Sequence, residues 1–223
     1  MATRREFIGR SAASAALGAL LPADLAALGT PEDHALASGE SWNLAWPAKV
    51  TGRHKAVFDV PEIESGFGVW RAAAWANQNR EVLKAGPKDV STVLVLRHNA
   101  IVLALKNEFW DKYGIGKLKQ VLHPITHEPI RRNPALMTDK DGVPAPWDKL
   151  GLPTQLASGV VVLACNIALR DCVELIQKQT NASAEVALKE AVDALVPGVI
   201  LRPSGVFAAV RAQEAGCAYV RAS

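Results

Sequence analysis

Cys165 is the side chain of this sequence best placed for covalent chemistry. It ends an apolar run, residues 159–165, whose composition is typical of a strand buried on both faces. Apolar residues at helical spacing begin directly after Cys165. A thiol at a helix N-terminus lies at the positive end of the helix dipole, which favours the nucleophilic thiolate. The position predicts a reactive thiol, with an inert buried cysteine as the alternative.

The other two cysteines have positions that favour structural roles. Cys172 lies on the apolar stripe of the helix after Cys165, which is typical of core packing. Cys217 opens the last predicted strand and is either a core residue or a partner for a second subunit. A Cys165–Cys172 disulfide is disfavoured because two helical turns separate residues by roughly 10 Å.

Four polar residues are predicted to be pocket neighbours of Cys165. His98 and Asn99 follow another apolar strand, and in open α/β sheets such groups gather at the carboxyl ends of the strands. Asn166 is adjacent to the cysteine, and Arg170 could add positive potential to the same helix. These residues and the thiol form the predicted site.

The histidines suggest a different chemistry, a metal or haem carrier built from His98, His123 and His127. Pro124 and Pro129 disfavour the regular helix that would bring His123 and His127 together, so turn capping is the favoured interpretation of that pair. The sequence has no glycine-rich phosphate-binding loop and no assembled Ser/His/Asp set. No bound cofactor is predicted.

Alternating apolar runs and amphipathic stretches must position these residues. Strand-like and helix-like segments alternate along the chain, which predicts an open, mostly parallel α/β sheet with helices on both faces. The predicted strands are residues 55–60, 90–96, 159–165, 199–201 and 217–220, and the predicted helices lie at 66–84, from Asn99, after Cys165, from Ser183 and from Ser204. A proline-rich stretch at 114–150 interrupts this order and is interpreted as an insertion.

The N-terminus has the pattern of a twin-arginine export signal. Arg4 and Arg5 follow a threonine and precede an aromatic and an aliphatic residue, and a short run of alanine, glycine and leucine comes next. We therefore interpret residues 1–37 as a signal peptide and 38–54 as an N-terminal arm before a domain at 55–223. The mature protein is predicted to be periplasmic, without stable membrane insertion.

Composition narrows the classes of function. The chain is 49% hydrophobic, which is ample for a core, and its net charge of +3 comes from scattered lysines and arginines. Because no basic patch stands out, a nucleic-acid partner is not expected.

Two blocks resemble the DsrE/DsrF-like sulfur-relay family. They are residues 159–170, which contain Cys165, and the tail 195–206 with its closing residues 216–220; the resemblance covers about 55–110 and 152–221. It implies a small flavodoxin-like fold and a homo-oligomer, trimeric or hexameric. It also implies that Cys165 accepts sulfane sulfur as a persulfide and passes it to a partner protein. The export signal and the insertion depart from the family pattern.

The sequence thus supports three hypotheses about function. The first is an exported protein that binds or transfers sulfane sulfur through Cys165, with a donor and an acceptor protein as partners. The second is a non-enzymatic periplasmic binding or assembly module whose cysteines are structural. The third is the histidine-based metal or haem carrier.

Overall fold

A five-stranded parallel sheet forms the centre of the protein. The computed structural model describes Trp42 and residues 44–223, so the predicted export signal and most of the arm before residue 44 lie outside the described residues. The strands are β1 (His54–Val60), β2 (Val90–Leu96), β3 (Val161–Cys165), β4 (Ile200–Arg202) and β5 (Ala218–Arg221). Strands β1 to β3 are rich in β-branched and aliphatic residues, and their central positions are buried.

The order of the strands across the sheet is 4-3-2-1-5, and every neighbouring pair is parallel. The prediction of an open, flavodoxin-like α/β sheet is confirmed. The flavodoxin order 2-1-3-4-5 also contains one reversal of direction across the sheet. Here the reversal comes after β4, since the chain then returns past the other strands to place β5 beside β1.

Seven α-helices are present among the residues described. They are α1 (Phe67–Val82), α2 (Asn107–Lys112), α3 (Ile115–Leu118), α4 (Leu152–Ala157), α5 (Asn166–Thr180), α6 (Ala184–Asp193) and α7 (Gly205–Glu214). The predicted starts of α6 and α7 are confirmed, because the hydroxyls of Ser183 and Ser204 accept backbone N–H groups in the first turn of each helix. None of the helices described has the length and apolar character needed to cross a bilayer.

The two faces of the sheet are covered by different connections. Right-handed crossovers place all connections that advance from β1 to β4 on one face, and the returning α7 on the other. The packing agrees, since α1 contacts β1 and β2, α5 contacts β3, and α7 crosses all five strands. The core beneath α7 consists mainly of Trp46, Val57, Val93, Val95, Val161, Leu163, Ala208 and Ala212.

The segment after β2 differs from the expectation of a regular helix that starts at Asn99. It forms a 3-10 helix, His98–Ala104, followed by the short α2. Side-chain donors bind backbone carbonyl groups that a longer α-helix would have used for its own hydrogen bonds. The Trp110 indole N–H donates to the carbonyl of Val102 at 2.6 Å, and the Asn133 amide donates to that of Leu103 at 2.8 Å.

The predicted insertion at 114–150 is an ordered part of the domain. It contains α3 and several single-turn 3-10 helices, and it lies within the connection between β2 and β3. Asn133 is fully buried and donates to the carbonyls of Leu103 and Leu105 at 2.8 and 2.7 Å, while its side-chain oxygen accepts the backbone N–H of Ala135 at 2.9 Å. This one side chain joins the insertion to the 98–105 segment.

Candidate functional site

By the topology of the strands, the crevice of this sheet lies at the carboxyl ends of β3 and β4. The two strands are neighbours, but the helices that follow them, α5 and α7, cover opposite faces. In open α/β sheets, ligands bind where adjacent strands send their connections to opposite faces. Cys165 at the end of β3 is paired with Arg202 at the end of β4, so both residues lie at this crevice.

Cys165 is also the N-cap residue of α5. Its backbone is extended, and its sulfur accepts the backbone N–H of Ala168 at 3.4 Å. The thiol therefore takes the position in which serine or aspartate usually caps a helix, with the positive end of the helix directed at the sulfur. The residue is 5% exposed, so only a small reagent can reach it without local movement.

Arg202 is the cationic neighbour of Cys165 on β4. It is 2% exposed, and burial lowers the pKa of its guanidinium from the ordinary value. Its Nε donates to the carbonyl of Leu201, and its guanidinium carbon lies 5.6 Å from the centre of the Trp42 ring. Because paired residues of parallel strands share a face, Arg202 and Cys165 project to the same side of the sheet.

Arg97 lies on the other side of Cys165, directly after β2. The registry of β2 with β3 places Leu96 opposite Ala164, so the next residue on each strand is Arg97 and Cys165. The Arg97 side chain packs over the start of α7, where a Cβ added at Gly205 would come within 2.5 Å of the Arg97 Cβ. Glycine at this position lets α7 begin close to the crevice.

A buried carboxylate holds Arg97 in place. Asp59 is 2% exposed and accepts from Nε and Nη2 of Arg97 at 2.7 and 2.8 Å, while the Tyr219 hydroxyl donates to the same carboxylate at 2.6 Å. The hydrogen bonds to Asp59 raise the pKa of the Arg97 guanidinium and of the Tyr219 hydroxyl. The network thus connects the ends of β1, β2 and β5.

His98 and Asn99 were predicted to neighbour Cys165, but they line a cavity that Cys165 does not line. Both side chains bind Glu62 after β1, at 3.1 Å from His98 Nδ1 and 2.8 Å from Asn99 Nδ2. The hydrogen bond from Asn99 is the main cause that lowers the pKa of Glu62. The cavity has a volume of about 340 Å³, and the thiol in its lining is that of Cys172.

Asn166 and Arg170, the remaining predicted neighbours, have different outcomes. Asn166 is the first residue of α5 and is 4% exposed, so it adjoins Cys165 as expected. Arg170 is half-buried one turn further along α5, and it forms no ion pair with any residue in the described part of the chain. The positive charges beside Cys165 come instead from Arg97 and Arg202, on the two flanking strands.

Cys172 is buried, as predicted for a core residue. Because its thiol is buried, we expect the folded protein to lose stability in alkali. Desolvation by burial raises the pKa of its thiol from 9.0 to about 12. The folded chain therefore retains a proton that the unfolded chain releases near pH 9, so stability is fully present below that pH and falls as the pH rises towards 12. Urea unfolding from pH 8 to 11 should show a shallower fall for Cys172→Ala than for the wild type. Parallel curves would contradict this assignment.

The histidines do not assemble into a metal centre. His123 is buried, and both ring nitrogens are used, since Nε2 contacts the carbonyl of Asp141 at 2.8 Å and Nδ1 accepts the backbone N–H groups of Ile125 and Thr126. It therefore caps a turn, as the flanking prolines suggested. Within Trp42 and 44–223, no group of three or more His, Cys, Asp or Glu side chains could hold a metal ion.

Sequence reasoning missed Arg97, Arg202 and Asp59. Both arginines come at the ends of apolar strands. The strand-end rule that singled out His98 could therefore have identified them as well. Asp59 is a charged residue inside the apolar strand β1, which is a signal for a buried ion pair. The cavity beside Cys172 had no signal in the sequence because its lining comes from three separate segments.

The fold and the crevice define this protein as an open α/β protein with a thiol at the carboxyl edge of its sheet. The chain matches no protein-family model, no curated protein and no solved structure.

Proposed function

We propose that this protein is exported and that it carries sulfane sulfur as a persulfide on Cys165. The observation that carries the proposal is the position of the thiol, at the crevice between β3 and β4, with a helix N–H donated to its sulfur and Arg202 paired beside it. Helix N-termini and arginine side chains both stabilise anionic sulfur. The resemblance to sulfur-relay proteins points to the same residue.

Sulfur loading at this site is a transfer between thiols that needs no external oxidant. The Cys165 thiolate attacks the terminal sulfur of a donor persulfide, and a new S–S bond forms as the donor S–S bond breaks. The donor leaves as a thiolate, and the proton stays on the transferred sulfur. An acceptor thiolate then attacks that outer sulfur in the same way, and Cys165 regains its thiolate.

The site supports each stage of this exchange. The N–H of Ala168 supplies a hydrogen bond to the thiolate before loading and after release. Arg202 places positive charge on the face of the sheet where the persulfide would lie, and Arg97, paired with Asp59, lies on the same face. Cys172 and Cys217 lack this setting, and burial raises the pKa of both thiols.

Export and assembly belong to the same proposal. The twin-arginine leader supports delivery of the folded domain to the periplasm. The resemblance supports a homo-oligomer, trimeric or hexameric, with a sulfur donor and an acceptor protein as transient partners. In the periplasm the donor would be a small persulfide or polysulfide, or a protein persulfide.

The proposal predicts that sulfur loading requires Cys165 alone among the three cysteines. After incubation of the mature protein with inorganic polysulfide, intact mass should rise by about 32 Da for each sulfur, and reductant should reverse the gain. Cys165→Ser should abolish the gain. Cys172→Ser and Cys217→Ser are matched controls and should load like the wild type.

Two outcomes would overturn the proposal. One is loading of Cys165→Ser to the wild-type level with retained fold. The other is a wild-type protein that takes up no sulfur while Cys165 resists alkylation until the chain is unfolded. The second outcome would favour the binding or assembly module with structural cysteines.

A further inference from the structure

The cavity beside His98 lies on the face of the sheet that α5 covers, and Cys165 does not contribute to its lining. Its volume of about 340 Å³ falls in the range of small-molecule sites, near the lower end. The walls come from the 3-10 helix after β2, from α3 and from α5. The apolar part of the lining consists of Ile101, Val102, Ile115, Leu118, Cys172 and Leu175.

One end of this cavity carries a continuous chain of hydrogen bonds. Lys119 Nζ donates to Asn99 Oδ1 at 3.4 Å, and Asn99 Nδ2 donates to Glu62 Oε2 at 2.8 Å. The other oxygen of Glu62 contacts His98 Nδ1 at 3.1 Å. The Lys119–Asn99 and His98–Glu62 contacts are exposed, so this end of the cavity faces solvent.

His98 is held at this end by an uncommon backbone conformation. Its φ is +50°, in the left-handed region that few residues other than glycine adopt. Such residues cluster at ligand-binding and active sites, where surrounding structure maintains them. His98 is one of seven non-glycine residues with positive φ in the described part of the chain, and its side chain contacts Glu62 and lines the cavity.

The chemistry of this polar end specifies a ligand. Glu62 contacts Nδ1 of His98, so Nε2 is the ring nitrogen left to pair with a ligand hydroxyl. Lys119 has no ion-pair partner among the residues that the structure describes, whereas Lys178 is paired with Glu174 at 3.3 Å. Asp171 and Glu174 also line the cavity, so a second negative charge on the ligand would be repelled.

We infer that this cavity binds a small hydroxylated monocarboxylic acid with an apolar body. The carboxylate of the ligand pairs with Lys119, its hydroxyl forms a hydrogen bond with Nε2 of His98, and its apolar body packs on the lining from the 3-10 helix, α3 and α5. The inference goes beyond sulfur carriage and does not depend on Cys165.

Titration of the full chain with 2-hydroxy-3-phenylpropanoate, which carries its hydroxyl and carboxylate at one end of an apolar body, tests this inference, with backbone NMR shifts and calorimetry as readouts. The backbone amides of Asn99, Lys119 and Cys172 should shift, and the uncharged 2-hydroxy-3-phenylpropanamide should bind about tenfold more weakly, equivalent to one charge-assisted hydrogen bond. Removing the hydroxyl, as in 3-phenylpropanoate, should also weaken binding.

Lys119→Gln should lower the affinity for the acid about tenfold and leave the affinity for the amide unchanged. Lys117→Gln is the matched control, since Lys117 lies two residues away and lines a different cavity. Equal binding of acid and amide, equal effects of the two lysine variants, or no shift at Asn99 and Cys172 would each overturn the inference. None of these outcomes bears on sulfur loading, so the two proposals fail separately.

Discussion

Replacing Asn133 with alanine is expected to lower the free energy of unfolding by about 4 kcal/mol, because three buried backbone groups lose their partner at once. The Asn133 amide binds the carbonyls of Leu103 and Leu105, and its oxygen binds the N–H of Ala135, all with the side chain fully buried. Each orphaned buried group costs about 1–3 kcal/mol. Since these bonds connect the insertion to the segment carrying His98, local order at that segment should fall as well.

Urea unfolding measures this effect, with Asn77→Ala as the matched control. Asn77 is exposed and its side chain accepts only from Arg80 on the same helix, so its loss should change stability by less than about 0.5 kcal/mol. A change at Asn133 as small as that at Asn77 would show that the insertion does not depend on this side chain.

Asp59→Ala is expected to lower the free energy of unfolding by about 3 kcal/mol. Breaking a buried ion pair costs about 3–5 kcal/mol when it leaves one charge unpaired, and the Arg97 side chain is 30% exposed, so water offsets part of that cost. The Tyr219 hydroxyl loses its acceptor in the same variant. Arg97 should then move away from the crevice beside Cys165, and sulfur loading should slow.

Two further variants separate the buried pair from ordinary surface charge. Asp193→Asn removes an exposed partner of Lys189 and should change stability by less than about 1 kcal/mol. Arg97→Met should destabilise at least as much as Asp59→Ala, because it leaves the Asp59 carboxylate buried without its cation. Near-equal stabilities for Asp59→Ala and Asp193→Asn would contradict the structural role of the pair.

The strands and the larger helices could be predicted from the sequence because burial on both faces leaves a direct compositional signal. The run at 90–96 has no polar interruption beyond Ser91 and Thr92 and forms β2 with the predicted bounds. Serine residues marked the starts of α6 and α7, since a hydroxyl that accepts a backbone N–H is a local requirement. Such signals act over a few residues and need no knowledge of the fold.

The candidate site was predictable only in part, because its neighbours are set by strand order and registry. Local spacing identified Cys165 as a helix cap at a strand end, and the structure places it there. The pairing of Cys165 with Arg202 depends on β4 lying beside β3 in a particular registry. The rule for strand ends does not tell which face of the sheet a side chain reaches, and His98 lines the cavity that contains Cys172.

The carboxyl edge of the sheet therefore holds two separate polar sites. On the α7 face, Cys165 lies with Arg97 and Arg202 at the crevice. On the α5 face, His98 and Asn99 border a cavity whose thiol has its pKa raised by burial. The sulfur-loading proposal and the ligand proposal therefore concern different faces of the sheet and different residues.

The most direct test of the central claim is the position of the added sulfur in the wild-type protein. After brief loading with polysulfide, alkylation and tryptic digestion, the three cysteines fall on separate peptides, because Arg170 lies between Cys165 and Cys172 and Arg211 precedes Cys217. We expect a mass gain of about 32 Da on the peptide that contains Cys165. Sulfur on the Cys172 or Cys217 peptide, or spread evenly over all three, would contradict the claim.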